Sequence, residues 1–437
     1  MQQSRPVSPN YKWWVVFMLW FVCFFNYADR QAIYSVFPKL REEFGLDAVQ
    51  LGLIGSAFMW IYALGAPLAG FIGDRLQRKR LILGGFAFWS VITLMTGWCT
   101  RFWHFVTLRA LEGFGETFYF PASMSLVSDY HAPRSRSRAL SLHQSSVYVG
   151  TIAGSWLGAW FAEYKGWRTG FYVFGAAGLL LAVILWRFLR EPSRGEAEEE
   201  APDTGGTPLS LKETGEIIFR RPMVILLMAA FVAANFVATI FLTWTPMFLV
   251  EKFHFHLAAA GFSAAIFIHL ASALSAPLGG VMADSLSQRM AGGRMLVQAV
   301  GLTGGSVFVF LIGTTTDVAT LLTAMACFGF CKGLYDSNIF ASLYDAIEPR
   351  ARSTAAGIMN TVGWGGGALG PVVVGVLAKY GPGAGETDNM SRAIAHCGVV
   401  YLVGAALLAV TIIFFAKRDV LKGPERRDIA VSPSVDV

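Results

Sequence analysis

Apolar residues along this chain come in long unbroken runs, not in the narrow stripes of an amphipathic helix or the alternation of a surface strand. Twelve runs are long enough to cross a bilayer as a helix, which takes roughly 17 to 25 residues. They cover about 13–37, 50–73, 81–100, 102–127, 138–162, 167–188, 222–250, 258–283, 295–313, 318–346, 351–379 and 390–416, and are numbered here as spans 1 to 12. The pattern predicts an all-α membrane protein of twelve transmembrane helices. The first run is longer than a signal-peptide core and no small-residue cleavage site follows it, so it is expected to stay in the mature chain. Between spans 6 and 7 lies a long hydrophilic stretch that includes Glu196 to Pro208 (EAEEEAPDTGGTP), a composition typical of a flexible linker. The chain therefore divides into a six-helix bundle over 1–190, a linker over 191–220, a second six-helix bundle over 221–420 and a tail over 421–437.

Composition narrows the class further. Of 437 residues, 54% are apolar and 15% charged, against about 25% charged in soluble domains. A soluble enzyme, a nucleic-acid binder and a disordered scaffold are excluded, and the lipid bilayer is the implied solvent. The net charge of +6 reads as topology. With both termini cytoplasmic, 24 of the 35 Lys and Arg fall on the linker side, eight on the opposite side and three, Arg30, Arg109 and Lys332, at membrane depth, as the retention of basic loops in the cytoplasm requires. The five cysteines, Cys23, Cys99, Cys327, Cys331 and Cys397, form neither a secreted disulfide framework nor a CxxC metal site.

The two halves repeat each other. At an offset of 216, Asp129-x-x-x-Pro133-Arg134-x-Arg136-Ser137 lies over Asp345-x-x-x-Pro349-Arg350-x-Arg352-Ser353, Gly113-Phe114 over Gly329-Phe330, Gly150 over Gly366 and Gly154 over Gly370. Gly70-x-x-x-Asp74 matches Gly280-x-x-x-Asp284 at 210, and Asn26 matches Asn235 at 209. Duplicated six-span halves joined by a linker are the signature of a transporter that rocks about a site at mid-membrane.

A charge at bilayer depth costs at least about 2.5 to 3.5 kcal/mol, so each should face a cavity or a partner. Asp29, Arg30, Arg109, Glu112, Glu116, Lys332 and Asp336 are such charges. On one helix, Arg109, Glu112 and Glu116 share a face. Arg109 and Glu112 stand i,i+3 and can simply neutralise each other. Glu116, set among Gly113, Gly115 and Phe118, is placed to titrate by desolvation and so to carry a proton. Two roles are open to Arg30, whose guanidinium can grip a carboxylate through paired hydrogen bonds: holding the substrate's acid group, or acting as counter-ion to Glu116. The repeat puts Lys332 over Glu116 and Asn360 over Gln144. Lys332 is either a second anion contact or a partner satisfied by Asp336 at i,i+4. Gln144, Asn360 and Tyr27 offer the neutral donors and acceptors a polyhydroxylated substrate needs, although buried amides also join helices.

These motifs together resemble the major facilitator superfamily along nearly the whole chain. Gly70-x-x-x-Asp74-Arg75-x-Gln77-Arg78-Lys79 is similar to that family's cytoplasmic gating motif, with Gln77 replacing the usual second glycine. The resemblance implies gating roles for Asp74, Arg75 and, by the repeat, Asp284. Asn26-Tyr27-Ala28-Asp29-Arg30 with Arg109-x-x-x-Gly113-x-Gly115-Glu116 is similar to the anion:cation symporters, and the Spinster-type transporters share much of it. The symporter resemblance implies that Asp29 and Glu116 couple protons and that Arg109 partners Asp29.

Weaker features complete the reading. His143 beside Gln144 fits a helix-packing donor. His254-x-His256 lacks the neighbours of a metal site, and Gly363–Gly367 fits close helix packing rather than phosphate binding. Asn389-Met390-Ser391 is a glycosylation sequon on the external side. The expectation is a monomeric, multi-pass protein of the plasma (inner) membrane, without cofactor or metal and with protons as the coupling ion, that carries a small organic anion, in particular a sugar acid. The alternatives are a lysolipid or other amphiphile as cargo, or a membrane receptor that binds without transporting.

Overall fold

The computed structural model describes residues 10–73, 76–131, 133–191, 211–348 and 351–420. All twelve spans are helices. In the first half they run Tyr11–Ser35, Ala48–Gly73, Arg78–Thr96, Phe102–Tyr130, Pro133–Tyr164 and Trp167–Phe188. In the second they run Pro222–Phe253, Leu257–Arg289, Gly293–Thr314, Val318–Tyr344, Arg352–Tyr380 and Glu386–Asp419. Nine of these segments among the described residues are long and apolar enough on composition alone to cross a membrane. Spans 1, 4 and 5 fall short, and the first two are those that bury charge. A short helix, Phe37–Phe44, follows span 1 and stops at Gly45, whose positive φ of 63° closes it. Another, Leu211–Phe219, occupies the end of the stretch read as linker.

Three spans are interrupted, each beside a residue of interest. Span 4 breaks at Phe118 and span 11 at Ala368. In both, a proline lies three residues on (Pro121, Pro371), lacking an N–H and crowding the carbonyl four residues earlier. The freed carbonyl of Gly367 accepts the Thr239 hydroxyl at 2.6 Å, and that of Ala368 accepts Ser56 of the other half at 2.5 Å. Span 10 breaks at Ser337–Asn338 without a proline; the Asn338 amide donates instead to the carbonyls of Gly279 and Leu334, both at 3.1 Å.

The duplication is visible in contacts. Arg78 pairs with Asp129 and Arg294 with Asp345, equivalent residues in the two halves. Arg136 donates to the His131 carbonyl at 3.2 Å and Arg352 to the Ile347 carbonyl at 3.3 Å, again equivalent. Gly113 abuts the Phe58 carbonyl and Gly329 that of Ile268, each so close that a Cβ would stand 2.4 and 2.2 Å from the oxygen.

The halves meet along spans 1 and 7, 2 and 11, and 5 and 8, the last two being images of each other. At the end away from the linker they close tightly. A Cβ on Gly52 would lie 2.5 Å from the Pro371 carbonyl oxygen, and one on Gly261 would lie 2.4 Å from that of Ser155. Around this seam Lys379 pairs with Asp47 at 2.8 Å, and Arg41 bridges Glu251 and Glu386 at 2.8 and 3.1 Å. Burial pushes the Asp47 carboxyl up, but the Lys379 ammonium and the backbone N–H groups of Gln50 and Val49 outweigh it and hold the group below the ordinary carboxylate range. The ion pair therefore persists at neutral pH and is lost only as pH falls through that depressed value. Where both partners are described residues, the hydrogen bonds and ion pairs between the halves lie at this far end or at mid-depth.

Leucine at Gly52 or Gly261 is expected to leave each bundle folded while disfavouring far-end closure. In a cysteine-free background, labelling of Ser125→Cys by an impermeant maleimide from the linker side should fall several-fold. Unchanged labelling would show that this seam does not govern closure.

Candidate functional site

Spans 1 and 4 bring five ionisable side chains together in the interior of the first bundle, all 5% exposed or less: Asp29, Arg30, Arg109, Glu112 and Glu116. Arg30 directs two N–H groups at one oxygen of Glu116, Nη2 at 2.6 Å and Nε at 3.1 Å, and reaches the Asn26 amide oxygen at 3.3 Å. The second Glu116 oxygen has no hydrogen-bond partner. Arg109 bonds Glu112 at 2.5 Å and the Tyr34 hydroxyl at 3.4 Å. Among the described residues, Asp29 accepts only the Thr93 hydroxyl, at 3.3 Å, and its other oxygen is unpartnered. The expected contact of Arg109 with Asp29 is thus not made. The reason is geometric: Glu112 stands one turn along the same helix, and that local pairing needs no approach between spans.

Aromatic rings enclose the cluster. The Arg30 guanidinium carbon lies 4.6 Å from the ring centres of Tyr27 and Phe58, 5.3 Å from Tyr62 and 5.9 Å from Trp364 of the second half. Phe58 also faces Arg109 at 4.7 Å. Ring faces carry negative potential and stabilise a desolvated cation. Tyr62 and Trp364 pack edge to face with centres 6.0 Å apart, so span 11 touches the charge cluster through one indole.

Beyond these rings lies a cavity of about 1160 Å³ between the halves. It reaches Arg78, Ser125, Tyr344 and Thr354 near the linker end. Tyr27, Gln144, Lys332, Asp336 and Asn360 line it, as expected of a central site. Arg30, Asp29 and Glu116 do not; Tyr27, Tyr62 and Trp364 stand between them and the cavity. Of the two roles open to Arg30, counter-ion to Glu116 is the one the geometry displays, away from the cavity wall. Lys332 pairs with Asp336, and the two side chains retain 18% and 39% exposure. Near them His269 lines the wall beside Tyr148, ring centres 6.2 Å apart.

Several lining residues had escaped attention in the sequence. Gln31, which donates to the Leu242 carbonyl at 3.2 Å, was overshadowed by Arg30 beside it. Asn235 was visible only as the repeat image of Asn26. His269, a single imidazole in the apolar run IFIHLAS, carried a signal of the same kind as the intramembrane charges. Trp364 was hidden inside the glycine run whose members abut Phe231, Val232 and Asn235 of span 7.

The remaining candidates fall elsewhere. Asp74 and Arg75 lie outside the described residues. Asp284 pairs with Arg294 at 2.6 Å within its own half, not across to the other. His143 is buried against the Tyr119 hydroxyl at 2.9 Å, a packing contact. The five cysteines are unbridged. Asn389 is turned inward, donating to the carbonyls of Ala378 and Gly381, so its amide is not presented to solvent as a glycosylated residue requires.

The profile of the Major Facilitator Superfamily matches residues 19–371 and 270–429. The chain is 28% identical to a probable galactarate/D-glucarate transporter of Bacillus subtilis, over 95% of this chain and 94% of that protein. It is 31% identical to bovine protein spinster homolog 1 over 58% of this chain and 48% of that one. Its fold superposes on a bacterial homolog of the human lysosomal transporter Spinster, solved in an inward-facing and unoccupied conformation. The TM-score is 0.83 at 21% identity, covering 96% of this chain and all of the other. Profile, fold and repeat agree that the chain belongs to the Major Facilitator Superfamily and is an integral, multi-pass membrane transporter, not an enzyme.

Proposed function

We propose that this protein is a proton-coupled symporter of a small organic anion, a sugar acid or related carboxylate, working by alternating access. Both termini lie on the cytoplasmic side of the plasma (inner) membrane in this reading, so the end of the cavity lined by Arg78, Ser125, Tyr344 and Thr354 faces the cytoplasm. The observation that carries it is the Arg30–Glu116 pair, buried beside a cavity that holds a cation, Lys332, among the amides of Gln144, Asn235 and Asn360. Amides and tyrosine hydroxyls suit sugar hydroxyls, and an ammonium suits the acid. The sugar-acid carriers among the relatives support the same class.

Coupling follows from charge balance. Two guanidinia face three carboxyl groups, so pairing satisfies Glu112 and Glu116 and leaves Asp29 to carry a proton. A proton arriving at Glu116 removes the partner of Arg30, and an unpaired buried cation costs roughly 3 to 5 kcal/mol. The substrate carboxylate restores the balance by moving to Arg30 once Trp364 swings aside. Neither proton nor anion then occupies the closed state cheaply without the other, and this mutual requirement is symport. Lys332 supplies the first hold on the anion as it exchanges Asp336 for the substrate acid.

A second reading keeps the fold and changes the cargo to a lysolipid or other amphiphile. The cavity wall formed by Phe120, Phe231, Phe241, Phe328 and Phe340 favours it, as does the likeness to Spinster proteins. Thermal-shift titration with D-glucarate against a lysolipid of matched charge separates the two.

In proteoliposomes, Glu116→Gln is expected to abolish proton-driven accumulation of D-glucarate while preserving exchange with preloaded substrate. Undiminished uphill uptake would refute the coupling role. Lys332→Met should weaken binding about tenfold or more, since a hydrogen bond to a charged group contributes roughly 1.5 to 3 kcal/mol. It should leave binding of the uncharged sugar unaffected, and equal affinity for the acid in variant and wild type would exclude Lys332 from the site.

A further inference from the structure

A second cavity has no part in the transport path. About 680 Å³ in volume, it lies at the linker end, between the turn that enters span 7 and the last turn of span 12. Arg220, Arg221, Lys417 and Arg418 line it with a single carboxylate, Asp419. That acid is already engaged: one oxygen accepts Arg418 Nε at 2.7 Å and the other the Met223 N–H at the start of span 7, at 3.1 Å. Arg221 is bonded to the carbonyls of Ala346 and Asp419. The side chains of Arg220 and Lys417 make no hydrogen bond or ion pair among the described residues, and both are exposed.

The surroundings of this pocket are apolar and exposed. Phe219 at its rim is 79% exposed, and Ile413 and Phe414, one turn up span 12, are each 69% exposed. Apolar side chains this exposed suit acyl chains, which sets the basic groups, within a turn of them, at the depth expected of headgroups. Charges retained only to set topology need no common focus. Here they converge from segments that precede span 7 and end span 12, around one cavity, with a net excess of three positive charges.

We propose that this pocket binds the phosphodiester headgroup of an anionic membrane lipid. Guanidinium forks match phosphate oxygens through paired hydrogen bonds, and Lys417 adds a compact charge. Phe219 and Phe414 lie against the first acyl methylenes. Basic pockets between helices on the cytoplasmic side select anionic headgroups in this manner. A lipid held there ties the entry to span 7 to the end of span 12 and so steadies the second bundle.

The test uses the full-length protein in nanodiscs of phosphatidylcholine with an increasing fraction of phosphatidylglycerol, with Tm as the readout. Wild type should gain Tm as the anionic fraction rises. The double variant Arg220→Gln/Lys417→Gln should match wild type in pure phosphatidylcholine but lose more than half of that gain. A charge-matched control at the far end, Arg101→Gln/Lys165→Gln, should keep it. Equal gains in wild type and the pocket variant, or equal losses in the control, would overturn the site. Inorganic phosphate added to phosphatidylcholine discs separates the other source of the same chemistry. A gain from free phosphate that phosphatidylglycerol does not reproduce would assign the pocket to a soluble anion and overturn the lipid.

Discussion

An ionised group in hydrocarbon must be paired, and the rest of this structure is arranged around that constraint. Arg30 and Arg109 are each held by a carboxylate and by ring faces, in a part of the bundle with almost no solvent exposure. Such a pair adds little to stability relative to an apolar core, but removing one member is expensive. The arrangement is therefore a poor structural fastener, and in the proposed coupling it serves as a switch, because any event that discharges Glu116 obliges Arg30 to find another anion.

The pseudo-twofold makes the switch useful. Gly52 against Pro371 and Gly261 against Ser155 are the same contact seen from the two halves, and they let spans 2 and 11, and 5 and 8, close at backbone distance. Neither seam involves the charge cluster. The link between cluster and seam runs along span 11: Trp364 covers Arg30, and four residues further on the helix breaks where Ala368 takes the hydroxyl of Ser56. A single interrupted helix of the second half thus touches both the buried cation of the first half and the surface on which the halves separate.

Much of this was legible in the sequence, for physical reasons. Lipid demands long apolar runs, so the spans could be counted, and the rarity of charges within them singled out seven residues, each of which lies in the cluster or on the cavity wall. The repeat set Asp129 over Asp345, and the structure gives each the equivalent arginine, Arg78 and Arg294. What escaped was pairing and screening. Whether Arg109 turns to Asp29 or to Glu112 depends on the approach of two helices, which spacing within one helix cannot report. That Tyr27, Tyr62 and Trp364 stand between Arg30 and the cavity depends on residues from three spans. The breaks at Phe118 and Ala368 followed from Pro121 and Pro371, but that at Ser337 arises from a side chain competing for backbone, which leaves no comparable mark.

The most direct measurement is the protonation state of Glu116, read by isotope-edited infrared difference spectroscopy of wild type against Glu116→Gln. The account requires Glu116 to be ionised while it pairs with Arg30, so adding D-glucarate to the substrate-free protein at neutral pH should produce a protonated-carboxyl band that the variant lacks. That Glu116-dependent band already present before substrate, or absent after substrate has bound, would contradict the exchange of Glu116 for a substrate anion at Arg30.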